Sequence, residues 1–435
     1  MMKWYPFELH CHTNHSDGSM SPAELVHQAV LRGLSGIAVT DHNTASAVEE
    51  VEREAKKAGL IVIRGIEWTT FWGHFTVLGG KSRVDWRDVT PNTVNDKIKE
   101  AREAGDVVCV AHPYRPGGVL CTGCYMDFEV DFNNVDAMEV WSQDNPSLSI
   151  PNKLAYEKYL YLVAMATKIT PLYGYDWHTA NEQYIGTPIY KTYLRIDGEV
   201  TPVSALDAIK KGRTCIASAT PSQITAHGGA LNTGRNTQAF FAKMAEVLPD
   251  AIEVDVRRRG KTLYLSHNPH WSYKNHLTLR DAFAFVKTHG MKINCDLKEK
   301  GIMPDCLTLA KEMGVQDHVI FTGHCLPRHL KKVDCAEIYV NKSFYESVIP
   351  LTPATLAKVW EHIKSHNCPH ITGLNLDYRH HGSDALIAKA KELNIPLSFY
   401  TVDDPQLLRH YLNLGIANVT TNLVDIAYAH VVRAV

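Results

Sequence analysis

The chain has 435 residues, 45% hydrophobic and 21% charged, which is typical of a globular enzyme of two or three domains. Its 45 basic and 47 acidic residues give a net charge of −2, which argues against long nucleic acid or an anionic membrane as a partner. The N-terminus has no signal-peptide core and no apolar stretch is long enough to span a bilayer, so we expect a cytoplasmic protein. The ten cysteines, including the lone C-x-x-C pair Cys121 and Cys124, show no disulfide framework and indicate reduced thiols.

Short apolar runs rich in β-branched residues alternate with amphipathic segments along the chain, which predicts parallel strands joined by crossover helices. The predicted strands are FELHCH, GIAVTDH, LIVIRGIEW, HFTVLGG, DVVCVAH, VDAMEVW, TPLYGYDWH, SQITAHGG, DAIEVDV, TLYLSHN, KINCDLK, VIFTGH, EIYVN, ITGLNLD, PLSFYTV and ANVTTN. Helices are predicted between them, among others over 22–32, 93–104, 202–211, 239–248, 281–289 and 356–365.

The number of predicted strands decides the fold class. About sixteen strands are too many for one eight-stranded barrel and suit two, so we predict an α/β protein with two tandem β/α barrels. The stretch ATPS at 219–222 interrupts regular secondary structure between two strands. It places the boundary between a first domain, 1–220, and a second domain, 221–435.

Metal-binding and charged side chains recur where the predicted strands end. Because the carboxyl ends of barrel strands meet at one mouth, which carries the chemistry of such folds, these residues are the main functional signal. A random scatter of 23 histidines would not choose those positions so often. The residues concerned are His10, His12, Asp41, His42, Glu67, His112, Asp176 and His178 in the first half, and His227, Glu253, Asp255, His267 and Asp296 in the second.

In the first half, two pairs of residues stand two positions apart. His10 and His12 share one face of the first strand, and Asp176 and His178 repeat the arrangement after the seventh. Cys11 points the other way, which favours a core position. Imidazoles and carboxylates that converge in this way suit Zn²⁺, Mn²⁺ or Fe²⁺.

The motifs LHCHTNHSDG, GIAVTDHNT, GIEW, VAHP and GYDWH, in this order over roughly residues 3–220, resemble the polymerase and histidinol phosphatase (PHP) metallophosphoesterases. The resemblance implies a distorted seven-stranded β/α barrel that holds up to three Mn, Fe or Zn ions and hydrolyses phosphoesters. It implies one metal on His10, His12, Glu67 and Asp176, a second on Glu67, His112 and His74, and a third on Asp17, His42 and His178.

Two residues near these motifs have other interpretations. Arg115, after AHPY, could hold a phosphate in a bidentate grip, or it could be a surface arginine. His15 has no counterpart in the family and is expected in a loop.

The second half also combines carboxylates with histidines. Glu253 and Asp255 share a strand face, as a hard divalent cation requires, and Asp296 with Lys298 forms another such pair. His227 and His267 end the predicted strands on either side of the one with Glu253 and Asp255, and are candidates for general acid and base.

The run ITAHGG…RNTQAF…DAIEVDVRRRGKTLYLSHNP, with SFYTVDDPQLLRHYLNLGIANVTTN, resembles the glycerophosphodiester phosphodiesterases, a TIM-barrel class. The resemblance implies a catalytic pair, His227 and His267, and one Mg, Ca or Mn ion on Glu253, Asp255 and Asp296. The chain departs from the family pattern at Gly228 (usually Arg), Arg235 (usually Glu), Asn268 (usually Asp) and the shortened Asp296.

The sequence therefore predicts a metal-dependent phosphoric ester hydrolase that acts on small-molecule phosphomonoesters, phosphodiesters or both. The two barrels would act in sequence if the second cleaved a diester and the first dephosphorylated the product. The alternative is an N-terminal nucleotide phosphatase or nuclease with a C-terminal barrel that only binds phosphoanions. The sequence leaves the oligomeric state, the metal and the leaving group open.

Overall fold

The computed structural model describes residues 3–115, 128–143, 149–180, 190–330, 333–345, 347, 349–430 and 432–433. The chain splits into two compact units, Met1–Pro221 with Val431–Val435, and Ser222–His430. Each unit is built on one closed or nearly closed barrel sheet, which confirms the prediction of two α/β barrels. The pair Cys121 and Cys124 lies outside the described residues.

The first unit has a mixed sheet built on a seven-stranded barrel. Its first nine strands are β1 (Lys3–Cys11), β2 (Gly36–Val39), β3 (Ile61–Thr70), β4 (Gly73–Leu78), β5 (Val107–Val110), β6 (Ala137–Ser142), β7 (Thr170–Gly174), β8 (Lys191–Ile196) and β9 (Thr214–Ala217). Strands β1 to β7 follow one another around the barrel, and a parallel bridge between Cys11 and Trp177 brings the end of β7 back to β1.

The sequence patterns missed the edge of this sheet. Strand β8 pairs antiparallel with β1, β9 pairs with β8, and a C-terminal strand, Val432–Arg433, pairs with β9. The parallel arrangement that the alternation of strands and helices predicted is wrong at β4, which is antiparallel to both β3 and β5. Only Phe71 and Trp72 separate β3 from β4, and a crossover to a parallel strand needs a dozen residues or more.

Five helices lie between these strands, within the described part of the first unit. They are α1 (Pro22–Leu31), α2 (Val48–Ala58), α3 (Val94–Ala104), α4 (Ile150–Ala164) and α5 (Pro202–Lys210). Local capping explains the bounds: Ser21 accepts a hydrogen bond from the N–H of Glu24 at the start of α1, and Gly59 ends α2 in a left-handed conformation.

The second unit has a closed ring of eight parallel strands. Its strands are β10 (Gln223–Ala226), β11 (Ala251–Arg259), β12 (Thr262–Leu265), β13 (Lys292–Leu297), β14 (Val319–Gly323), β15 (Glu337–Asn341), β16 (Ile371–Asp377), β17 (Leu397–Tyr400) and β18 (Asn418–Thr421). Strand β10 pairs with both β11 and β18 and closes the ring, whereas β12 is an antiparallel addition to β11.

Helices follow most strands of this ring. They are α6 (Gln238–Val247), α7 (Leu279–His289), α8 (Met303–Met313), α9 (Pro327–Leu330), α10 (Leu356–Lys364), α11 (Tyr378–His381), α12 (Asp384–Glu392), α13 (Pro405–Asn413) and α14 (Val424–His430). No helix among the described residues is long and apolar enough to cross a membrane.

Candidate metal centres

Strand β1 delivers the first two side chains of a histidine and carboxylate cluster. Cys11 packs in an apolar cluster with residues of α1 and α2, and its neighbours His10 and His12, the latter just beyond the end of β1, face the other way. Phe7 and Leu9 pack in a different apolar cluster, because the register of β1 shifts between Glu8 and Cys11. Both histidine side chains are fully buried. The expectation that Cys11 is a core residue is confirmed.

Glu67, from β3, is the hub of this cluster, and its side chain is 0% exposed. Its two oxygens meet five imidazoles: Oε1 lies 3.3 Å from His10 Nε2, 3.0 Å from His74 Nδ1 and 3.1 Å from His112 Nε2, and Oε2 lies 2.7 Å from His42 Nδ1 and 3.5 Å from His12 Nε2. Burial by itself raises the pKa of the Glu67 carboxyl, but His10 and the other imidazoles hold it well below its usual value.

Asp176 closes the opposite side of the cluster. Its Oδ1 lies 3.2 Å from His10 Nε2 and 2.9 Å from His12 Nε2, and its backbone has a φ of 57°, a conformation that non-glycine residues adopt at a cost. Arg115 pairs with the other carboxylate oxygen of Asp176 and donates a 2.8 Å hydrogen bond to Ser142 Oγ. The Arg115 guanidinium is thus held at the cluster, and its side chain is 25% exposed.

Asp17 marks the solvent side of the cluster. Its Oδ1 lies 3.1 Å from His178 Nε2 and 3.4 Å from His42 Nε2, and hydrogen bonds from these two imidazoles hold the pKa of Asp17 well below its usual value. The Asp17 side chain is 51% exposed. The cluster is therefore open to solvent on the side of this loop.

The nine predicted metal ligands of the first unit make up one nine-residue cluster. They form three overlapping groups, and within each group the ligand atoms lie within 4.8 Å of one another. The groups are His12, Asp17, His42 and His178; His10, Glu67, His112 and Asp176; and His42, Glu67 and His74. The structure thus brings all nine predicted ligands together, although His12 falls with the group of Asp17, and His112 with that of His10 and Asp176. His15 lies outside, 2.9 Å from Ser46 Oγ.

The donor set fits a cluster of divalent metals. Several buried atoms have no partner in hydrogen-bond geometry within the described residues, although some lie as close as 2.7 Å to another ligand of the cluster. Burying a polar atom without such a partner is costly. These buried atoms are His10 Nε2, both ring nitrogens of His12, His74 Nε2, Glu67 Oε2 and Asp176 Oδ1. Cations bound between them would satisfy these atoms, and the mixture of imidazole and carboxylate suits Zn, Mn or Fe.

Two buried acids behind the cluster escaped the sequence analysis. Glu8 Oε1 accepts hydrogen bonds from the backbone N–H groups of Leu9, His10 and Tyr175, which ties β1 to the segment after β7. Burial raises the pKa of Glu8 to about 7. Glu139 in β6 contacts His10. In the sequence, the signal for Glu139 was that it is a single acid within the apolar run AMEVW.

The second barrel holds a smaller group on β11 and β13. Ligand atoms of Glu253, Asp255 and Asp296 lie within 4.8 Å of one another. Lys298 pairs with Asp255 Oδ1 at 2.8 Å and with Asp296. Asn236 exchanges two hydrogen bonds with Asp255, one from its amide at 2.8 Å and one from the Asp255 N–H at 3.1 Å.

The two candidate catalytic histidines lie on either side of these carboxylates. His227 Nε2 is 3.7 Å from Glu253 Oε1, and His227 Nδ1 is 3.0 Å from Asn422 Oδ1. His267 Nδ1 is 3.3 Å from Asp255 Oδ1, and its side chain is 48% exposed. Burial, with Asp296 and Asp255 close by, raises the pKa of Glu253 to about 8, which marks a crowded acidic site.

Two of the positions that depart from the family pattern are neighbours in space. A Cβ atom placed on Gly228 would lie 3.6 Å from Cγ of Arg235. The side chain of Arg235 therefore lies beside position 228, where the family pattern has an arginine.

Residues 8–90 match the family model of the PHP domain, which confirms the predicted resemblance for that part of the chain. A 5'-3' exoribonuclease of Haemophilus influenzae is 44% identical over 66 residues, which are 15% of this chain and 24% of the relative. The 3',5'-nucleoside bisphosphate phosphatase of Chromobacterium violaceum is 33% identical over 70 residues, or 16% of this chain and 25% of the relative. The chain thus spans about a quarter of the length of these curated relatives.

Two solved structures have similar parts. A glycerophosphodiester phosphodiesterase of Parabacteroides distasonis is 16% identical, with a TM-score of 0.39, over 48% of this chain and 96% of its own. A two-domain protein of Bacteroides vulgatus that contains a predicted PHP-like metal-dependent phosphoesterase is 18% identical, with a TM-score of 0.39, over 61% of this chain and 76% of its own.

Proposed function

We propose that this protein is a metal-dependent phosphoesterase and that its first unit hydrolyses small-molecule phosphomonoesters at the nine-residue cluster. The observation that supports this most is the set of buried imidazole and carboxylate atoms that make no hydrogen bond and converge on one region. The PHP match covers the segment that carries His10, His12, Glu67 and His74.

The residues of the chain have distinct parts in this proposal. When bound, divalent metals would supply an activated hydroxide and neutralise the phosphate oxygens. The nine cluster residues would hold the ions. Arg115, which contacts Ser142 and Asp176 and is partly exposed, would bind a phosphate oxygen, and the open side near Asp17 would admit the substrate.

Nucleotides are the first substrate class to test. The relatives named above include a nucleoside bisphosphate phosphatase and an exoribonuclease. The net charge of −2 favours a mononucleotide or a short oligonucleotide over a long polymer, since long nucleic acid is bound mainly through positive charge.

The test is a comparison of the whole chain with a His10→Ala/His12→Ala variant. Elemental analysis should find transition metal in the wild type and much less in the variant. With Mn²⁺, the wild type should release inorganic phosphate from a nucleoside 3',5'-bisphosphate or from glycerol phosphate, and the variant should not. Folded wild-type protein that binds no Mn, Fe or Zn would contradict the proposal.

A second candidate activity belongs to the second unit, which would cleave a glycerophosphodiester. It is supported by Glu253, Asp255 and Asp296 with a histidine on either side. The two barrels would then act in sequence, on the diester and on the resulting monoester. Incubation of a glycerophosphodiester with the enzyme and Mn²⁺ should release both alcohol and inorganic phosphate, and alcohol without phosphate would contradict the sequence of two steps.

The alternative for the second unit is phosphoanion binding without hydrolysis, favoured by the changes at Gly228, Arg235 and Asn268. A His267→Ala variant separates the two. Loss of diesterase activity would support catalysis by the second unit. Unchanged diesterase turnover with a raised KM would support a binding role.

A further inference from the structure

Glu139 is a buried acid that the nine-residue cluster does not include. It stands in β6 between Met138 and Val140, which pack in the apolar core, and its own side chain is 2% exposed. A carboxylate is expensive to bury in such a strand unless hydrogen bonds compensate it. We propose that Glu139 is a positioning residue that fixes two ligands, His10 and His112, with its two oxygens. This inference rests on the proposed function.

The first contact fixes the ring of His10. Glu139 Oε1 lies 2.8 Å from His10 Nδ1, so Nδ1 carries the proton and donates it. The other nitrogen, Nε2, is then the one left to bind a metal, and it lies 3.3 Å from Glu67 Oε1 and 3.2 Å from Asp176 Oδ1. A partner on the far nitrogen selects the tautomer and the orientation of a ligating histidine.

The second contact fixes the backbone of His112. Its N–H donates a 2.9 Å hydrogen bond to Glu139 Oε2. His112 has a φ of 23°, a left-handed conformation that a residue with a side chain keeps only when its surroundings impose it. This conformation places His112 Nε2 3.1 Å from Glu67 Oε1, so the hydrogen bond that His112 N–H donates to Glu139 helps to hold the imidazole beside Glu67.

The neighbouring strand leaves space for the Glu139 carboxylate. A Cβ atom at Gly174, in β7, would lie 2.1 Å from Glu139 Oε1 and 3.0 Å from Cβ of His10. A side chain at position 174 would therefore push the carboxylate away from His10. Gly174 and Glu139 therefore depend on each other: the missing side chain at Gly174 in β7 leaves the space that the Glu139 carboxylate of β6 occupies.

The experiment measures Mn²⁺ affinity by competition with a chelator, on the whole chain, for wild type and Glu139→Gln. The glutamine amide can accept only one of the two N–H groups through its oxygen, and it presents an NH₂ group to the other. We expect Mn²⁺ affinity to fall by about 10- to 100-fold, the usual effect of losing a partner behind a metal ligand. Gly174→Ala should produce the same direction of change.

Asp136→Asn is the matched control. The Asp136 side chain also joins β5 to β6, because its Oδ2 accepts a 3.0 Å hydrogen bond from Val108 N–H. This contact lies near the amino ends of the two parallel strands, whereas His112 follows the carboxyl end of β5. The Asp136→Asn variant should be less stable than the wild type but should bind Mn²⁺ with wild-type affinity. Thermal unfolding of each variant without added metal reports the structural cost separately.

Four outcomes decide between these possibilities. Reduced affinity in Glu139→Gln with wild-type affinity in Asp136→Asn supports the proposal. Wild-type affinity in Glu139→Gln, or an equal loss in both variants, overturns it. Absence of Mn²⁺ binding by the wild type overturns the proposed function and removes the basis of this inference.

Discussion

The cost of burying ionisable side chains is what identifies the first site at the scale of single residues. His10, His12 and Glu67 are fully buried, and Asp176 is almost so. A protein seldom places so many ionisable groups out of water without ions or hydrogen bonds to compensate them. Several of their atoms make no hydrogen bond to the described residues, which leaves bound cations as the simplest explanation.

His74 and His15 provide a residue-scale prediction. His74→Ala should lose about one bound metal per chain, because His74 Nε2 is buried without a hydrogen bond and its Nδ1 lies 3.0 Å from Glu67. His15→Ala should keep the wild-type metal content, since His15 is bonded to Ser46 outside the cluster. Elemental analysis measures both. Equal metal content in the two variants would remove His74 from the site.

At the scale of elements, the hairpin of β3 and β4 decides how two ligands meet. Glu67 pairs with Thr76 across this hairpin, and Thr69 pairs with His74. Residues two apart on a strand share a face, so Glu67 and His74, on opposite strands, both face the cluster. Strand patterns predicted both elements, but only the two-residue turn at Phe71 and Trp72 shows that they are antiparallel neighbours.

A stability prediction belongs to helix α7 of the second unit. Thr278 accepts a hydrogen bond from the Asp281 N–H, and Asp281 accepts one from the Thr278 N–H, which forms a capping box. Thr278→Ala should lower the free energy of unfolding by about 1 kcal/mol, the usual cost of removing such a cap. Thr288→Ala, in the last turn of the same helix, is the control and should change it by less than about 0.5 kcal/mol. Urea denaturation measures both, and equal effects would refute a special role of the cap.

At the scale of the whole molecule, the two units hold different candidate sites. The nine-residue cluster lies within Met1–Pro221, and the carboxylate group of Glu253 lies within Ser222–His430. A ligand stabilises the structure that binds it, by about 2.7 kcal/mol at one hundred times its dissociation constant. Metal binding should therefore protect each unit separately.

Hydrogen exchange with peptide mapping tests this. Mn²⁺ should slow exchange in peptides that contain β1, β3 and β7 of the wild type, and the His10→Ala/His12→Ala variant should lose that protection. Peptides of the second unit should respond to Mn²⁺ alike in both proteins. A loss of protection in both units of the variant would show instead that the substitutions damage the whole fold.

Local pattern was sufficient for much of this protein. The alternation of strands and helices predicted two barrels, because period and strand count depend on residues near in sequence. The spacing of His10 with His12 and of Glu253 with Asp255 predicted shared faces, because side chains alternate along a strand. The strands at 191–196 and 214–217 are absent from the predicted strands, and the pairing of the first of them with β1, from the other end of the unit, is a contact that no local pattern shows.

The sequence by itself determined the fold class and the candidate ligands, since both follow from the order and type of side chains. Only the tertiary structure decided which ligands stand together, because distances between strands depend on how the barrel closes. It alone brought Glu139 to His10 and His112, 129 and 27 positions away along the chain. It also set Arg235 beside Gly228, because a folded loop, and no sequence spacing, makes them neighbours.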